Sequence, residues 1–128
     1  MLKTIIQTDK SPAAIGAYSQ AVQYGDVLYV SGQIPLDPVT MEVVSQDFRE
    51  QAHQVFKNLA AIAQAANTSL ANSLKFSVYM IDLADFSVLN EVMAEYCAEP
   101  FPARAAVQVA ALPKGVQLEI ESVLCVNN

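Results

Sequence analysis

Pro102-Ala103-Arg104-Ala105-Ala106-Val107-Gln108-Val109, then Ala110-Ala111-Leu112-Pro113-Lys114-Gly115, then Val116-Gln117-Leu118-Glu119-Ile120-Glu121 puts one arginine and two carboxylates among strand formers. Side chains alternate across a strand, so Arg104, Ala106 and Gln108 share one face, and Gln117, Glu119 and Glu121 share a face of the next strand. Leu118, Ile120, Ser122, Leu124 and Val126 line the opposite face of that second strand. Small alanines beside Arg104 leave room around its guanidinium. A charged pair framed by apolar strands is either a structural ion pair or a functional site. A hairpin across Ala110 to Gly115 would set Arg104 and Glu119 nearly opposite each other, whereas a mixed sheet would separate their strands, and the residues leave both arrangements open.

Working outward, 128 residues with 53% hydrophobic content predict a single domain, 1–128, with one core that buries roughly two-thirds of the surface the unfolded chain exposes. No apolar run reaches the length of a membrane span, so the apolar surplus points to a subunit interface rather than a bilayer. A net charge of −6 with no basic cluster disfavours nucleic acid as a main partner. The opening residues, Met1-Leu2-Lys3-Thr4-Ile5-Ile6-Gln7-Thr8, lack the long apolar region and small-residue cleavage site of a signal peptide, and a cytoplasmic location is expected. Cys97 and Cys125 have neither metal-ligand spacing nor a secreted context and read as buried reduced thiols.

Along the chain, Lys3 to Gln7 reads as a first strand and Ser11 to Gly16 as a loop. Tyr18–Tyr24 and Val27–Ser31 read as a hairpin across Gly25-Asp26, with glycine supplying the positive φ of a primed turn. From Ser45 the period becomes helical: Phe48, Ala52, Val55, Phe56, Leu59, Ile62, Ala63 and Ala66 form one face, with Ser45 as N-cap and Asn67 as the left-handed terminus. The single histidine, His53, falls on the polar face among Arg49, Glu50 and Lys57, which argues against a Ser-His or Cys-His catalytic pair and against a histidine-rich metal site. Leu74–Ile81 returns to a strand that is apolar on both sides and so expected to be covered on both. Asp82 or Asp85 can cap a second helix with Phe86, Leu89, Val92, Met93, Tyr96 and Cys97 inward and Asn90, Glu91 and Glu95 outward. The order is β, β, β, α, β, α, β, β, an α+β chain in which two helices cover only one face of the sheet.

Three motifs, Ala14-Ile15-Gly16-Ala17-Tyr18-Ser19-Gln20-Ala21, Ser31-Gly32-Gln33-Ile34, and Phe101-Pro102-Ala103-Arg104 through Leu118-Glu119-Ile120-Glu121, resemble the RidA (YjgF) family over roughly Ser11 to Val126. Ala17 departs from the proline that family members usually carry before the tyrosine, and it loosens the loop that positions Tyr18. The resemblance implies a chorismate-mutase-like (bacillus-type) mixed sheet with two helices on one face. It also implies a homotrimer with the sheets in a central barrel and ligand sites in the clefts between subunits. The activity it implies is hydrolytic deamination of 2-imino acids such as 2-iminobutanoate and 2-iminopropanoate to 2-oxo acids and ammonia, with no cofactor and no metal.

The residue types suit that chemistry. Arg104 offers a planar fork for the substrate carboxylate, with backbone groups near Gly32 and Ala106 fixing the rest of a small acid. Glu119 can orient a water toward the imine carbon and accept its proton. Tyr18 can pack on the substrate, and Ser31 and Asn90 are either cleft residues or packing residues. A second reading keeps the trimer and Arg104 but makes the protein a non-catalytic module that binds 2-oxo acids. A third, an RNA-directed translation inhibitor, is disfavoured by the acidic balance.

Overall fold

The structure, a computed structural model, describes residues 2–126. Its strands are β1 (Thr4–Ile6), β2 (Ala21–Tyr24), β3 (Val27–Gln33), β4 (Ser73–Met80), β5 (Ala103–Gln108) and β6 (Leu118–Cys125), with helices α1 (Phe48–Ala65) and α2 (Phe86–Tyr96). They form one six-stranded mixed sheet in the order β1-β2-β3-β6-β4-β5, an α+β fold of the expected element order.

The β2–β3 hairpin turns at Gly25, where φ is 61°, the positive value a two-residue turn needs. β6 lies antiparallel between β3 and β4, and β4 runs parallel to β5 through the α2 crossover. The strict alternation of Leu118, Ile120, Ser122 and Leu124 suits β6 to this central place, since all four are buried toward the helices. The hairpin between the last two strands is therefore not formed: β4 separates β5 from β6, because a parallel β4–β5 pair needs α2 as its connection and leaves the edge of β4 free for β6.

Helix α1 packs Phe48, Ala52, Val55, Phe56, Leu59, Ile62 and Ala63 against Leu28, Val30, Phe76, Val78, Met80, Leu118, Ile120 and Leu124. Phe56 stacks on Tyr96 at 5.3 Å and meets Phe76 edge-on at 5.9 Å, an aromatic cluster that ties both helices to the sheet. The N-cap is Asp47 rather than Ser45: an Asp47 carboxylate oxygen accepts from Glu50 N at 3.1 Å, while Ser45 Oγ accepts from Asp47 N at 3.0 Å. The helix closes as expected into Asn67 at φ 61°. Asp82 accepts from Ala84 N in the turn before α2, and Asp85 flanks α2 without a side-chain capping bond. His53 is half-buried rather than freely solvated, with Nδ1 2.9 Å from Tyr96 Oη and Nε2 3.9 Å from Glu95.

Both helices lie on one face. On the other, Tyr29 and Val107 are exposed and Tyr79 is only half-buried, so among the described residues nothing supplies the expected second cover of β4. Among the described residues no helix is long and apolar enough to cross a membrane.

Candidate active site

β3 and β6 are in register at Val30↔Ser122 and again at Gln33↔Ile120, so three steps on β3 face two on β6. This bulge, a device that re-aims side chains beside functional sites, brings Ser31 and Gly32 against Glu119. Gly32 matters there for space rather than φ: a Cβ on it would collide with Glu119 Oε2 and lie 3.0 Å from Cδ, so the carboxylate could not keep its place. Ser31 is fixed by Oγ donating to Ser19 O at 2.6 Å and by N donating to Gln20 O at 2.9 Å.

Those two bonds hold the loop that carries Tyr18. The loop is secured further by the buried Gln20 amide, whose Nε2 donates to Thr8 O, Ser11 O and Pro12 O while Oε1 accepts from Thr8 N. Without the usual proline at Ala17, Tyr18 still reaches the cavity and is half exposed. Tyr18, Ser31, Gly32 and Glu119 line one cavity of about 450 Å³, closed by apolar Ile15, Ile34, Leu36 and Met41 and by Lys114 and Glu121. The Glu119 carboxylate has no hydrogen-bond donor and no cation among the described residues. Burial first, and the Glu121 charge second, push its pKa above the usual carboxylate range.

Arg104 stands elsewhere. In register with Phe76 and, through it, Ser122, it lies on the helix face, whereas Glu119 pairs with Tyr79 on the opposite face. Two strand spacings and three residues separate them, roughly 14 Å along the sheet. They are not an ion pair in this chain. Arg104 Nη1 donates to Asn90 Oδ1 at 2.6 Å and approaches Met93 Sδ at 3.7 Å, and its guanidinium lies 4.8 Å over the Phe86 ring. These contacts leave the other edge of the fork without a carboxylate partner among the described residues. Arg104, Asn90, Met93, Phe101 and Pro102 line a second cavity of about 430 Å³.

Ala106 sits two residues along β5, half-buried. β5 is one of the two edge strands, so among the described residues the backbone groups on its outer side have no strand partner and are available to a ligand or another chain.

The sequence-predicted residues thus divide into two groups, Tyr18, Ser31, Gly32 and Glu119 in one cavity and Arg104 and Asn90 in the other. Sequence reasoning missed Glu121 and Lys114 in the first group. In the second it assigned Phe86 and Met93 to the core alone, although their spacing from Asn90 at i−4 and i+3 puts them on its side of the helix. A further recess of about 630 Å³, between the N-terminal strand and the loop at Ala13–Gln20, shares Ala13, Tyr18 and Gln20 with the Glu119 cavity and adds Asp9 as an acid–base group. Among the described residues no cluster of three or more His, Cys, Asp or Glu could hold a metal ion. Cys97 is buried, as expected, and burial pushes its thiol up to about 11, whereas Cys125 is half-buried rather than buried because β6 turns it away from the helix face.

Comparison with known proteins agrees with this architecture. The profile of the family described as endoribonuclease L-PSP matches residues 8–126. The human 2-iminobutanoate/2-iminopropanoate deaminase is 46% identical over 123 residues, covering 96% of this chain and 90% of that protein. The crystal structure of RidA from an Antarctic Psychrobacter bacterium is 57% identical, with a TM-score of 0.93 over 96% of this chain and 99% of that one. Escherichia coli TdcF, crystallised with bound serine, is 40% identical, with a TM-score of 0.91 over 97% of this chain and 99% of that one. With the fold, the three motifs and these matches in agreement, the chain belongs to the Rid/YjgF family, also called the endoribonuclease L-PSP or RutC family.

Proposed function

We propose that this protein hydrolyses 2-imino acids, with 2-iminobutanoate and 2-iminopropanoate as the model substrates, to 2-oxo acids and ammonia, at sites that two copies of the chain complete together in a homotrimer. The observation that carries this reading is the division of the charged pair: Arg104 and Glu119 lie on opposite faces of one sheet, each in its own cavity and neither neutralised by an opposite charge among the described residues. A structural ion pair would have been closed. Two open half-sites with complementary chemistry suit a cleft between neighbouring copies, and the exposed face at Tyr29 and Val107 gives those copies an apolar surface to share. The name of the human relative points to the same reaction, and the serine held by TdcF is a small amino acid of matching size.

In this mechanism the free edge of the Arg104 fork takes the substrate carboxylate through two charge-assisted hydrogen bonds, with Asn90 and Phe86 fixing the guanidinium and the Ala106 backbone bounding the acid. Tyr18 and the apolar wall pack on the substrate, and Ser31 holds the bulge in shape. Glu119 binds a water at the imine carbon. As the water oxygen bonds to that carbon, its proton passes to Glu119 and the C=N π pair moves to nitrogen. Glu119 then protonates the amine of the tetrahedral adduct. The C–N bond breaks with its electron pair on nitrogen, and the hydroxyl proton returns to the carboxylate, leaving the 2-oxo acid. A protonated imine is already electrophilic, so a placed water and one carboxylate suffice.

The test is release of 2-oxobutanoate when a threonine dehydratase generates the imine. Acceleration by wild type, with loss in folded Arg104→Ala and Glu119→Gln variants, is expected. Saturable calorimetric binding of 2-oxobutanoate with no acceleration would replace the enzyme by a binding module.

A further inference from the structure

Glu121 is the second carboxylate of the Glu119 cavity, two residues along β6 and on the same face, about 7 Å away between Cα atoms. It is not free to turn away. Tyr79 on β4 is the register partner of Glu119, but its hydroxyl reaches diagonally and donates to Glu121 Oε1 at 2.7 Å. That bond holds the Tyr79 hydroxyl above the usual tyrosine range, as expected of a donor that keeps its proton for a neighbouring carboxylate.

The charged and titratable groups facing the pair from every side are few. Tyr18 comes from the loop, and Tyr29 and Lys75 come from β3 and β4 on the far side of Glu121. Lys114 comes from the turn before β6, with its ammonium directed at Met41 O at 3.5 Å. No cation bonds to either carboxylate among the described residues.

We propose that Tyr79 and Glu121 are positioning residues of this site: the Tyr79 hydroxyl pins the Glu121 carboxylate on the cavity wall beside Glu119, where its charge helps Glu119 hold the proton it takes during turnover. The inference rests on the deaminase reading and adds a reason for the second acidic residue. When Glu119 takes the proton of the attacking water, the fixed negative charge of Glu121 favours that protonated form. Glu119 therefore keeps the proton long enough to pass it to the departing amine rather than losing it to solvent. The proton goes from water to Glu119 and from Glu119 to the amine, and Glu121 exchanges no atom with the substrate.

The test combines a pH profile with a direct titration. In Glu121→Gln the acid limb of kcat/KM is expected to move to lower pH by about half a unit or more, and Tyr79→Phe should move it the same way by less. Carboxyl carbon NMR should show the Glu119 midpoint above the ordinary carboxylate range in the wild type and lower in Glu121→Gln. An equal loss of rate at every pH with the limb unmoved, or a Glu119 midpoint unchanged by the substitution, would overturn the proposal. Should Glu121→Gln fail to fold, the pH profile and the Glu119 midpoint of Tyr79→Phe still decide it. A wild type inactive on every imine would remove the deaminase reading, while the NMR titration would judge the carboxylate pair on its own.

Discussion

The Glu119 carboxylate lies where a side chain on Gly32 would have to be. The β3 bulge delivers the Gly32 backbone to the carboxylate, and the missing Cβ makes room for it. Gly32→Ala should therefore fold, since the backbone there does not need a positive φ and the colliding atom is the end of a flexible side chain. The displaced carboxylate should cost about tenfold to a hundredfold in kcat. Thermal melting and steady-state kinetics on the same preparation check both halves of this expectation.

In its proposed role Glu119 also links catalysis to stability. Its folded pKa is raised, by burial first and then by Glu121. The group therefore favours folding below the ordinary carboxylate range and loses that contribution as pH rises through the folded value. Glu119→Gln removes a charge that the fold holds at a disadvantage, so at pH 7 the variant should melt no lower than wild type despite losing activity. The difference should close as pH falls through the carboxylate range. Melting curves across that range that showed the variant less stable at pH 7 would contradict the assignment.

Asn90 and Phe86 hold Arg104 from the side and from below. In its proposed role as the carboxylate binder, Arg104 acts in the ground state and the transition state alike, so Asn90→Ala and Phe86→Leu should raise KM by about five- to tenfold with a smaller change in kcat. Initial-rate kinetics over a range of imine concentration separate the two parameters.

For helix α1, Asp47→Ala should cost about 1 kcal/mol through loss of the cap, and Ser45→Ala distinctly less, as measured by urea unfolding.

That pair of caps illustrates what could be read from the residues. The apolar face of α1 from Phe48 to Ala66 was legible because its 3.6-residue period has one solution. The cap was not, because Ser45 and Asp47 are both capping types, and only the backbone turn at Asp47, with Ser45 bonded to it from outside, decides between them. The β2–β3 hairpin was fixed by Gly25 and the buried face of β6 by its alternation. Strand order was another matter: local pattern says nothing of which strand lies beside which, and the parallel β4–β5 crossover put β4 between Arg104 and Glu119. The candidate residues were likewise legible one by one from the three motifs, but their division between two cavities depends on which face of the sheet each strand turns to the helices. Glu121 and Phe86 went unassigned because an exposed carboxylate and a core aromatic fit their positions equally well.

Mixed assemblies test the shared site most directly. Arg104→Ala and Glu119→Gln chains, each inactive alone, are unfolded together in equal amounts and reassembled. In the proposed ring of three, every site would take Arg104 from one copy and Glu119 from its neighbour, so each mixed trimer should regain one intact site of three. With about three-quarters of randomly assembled trimers mixed, activity should return to about a quarter of wild type. A mixture no more active than its parents, with mixed trimers present by native mass spectrometry, would contradict a site built across two copies of the chain.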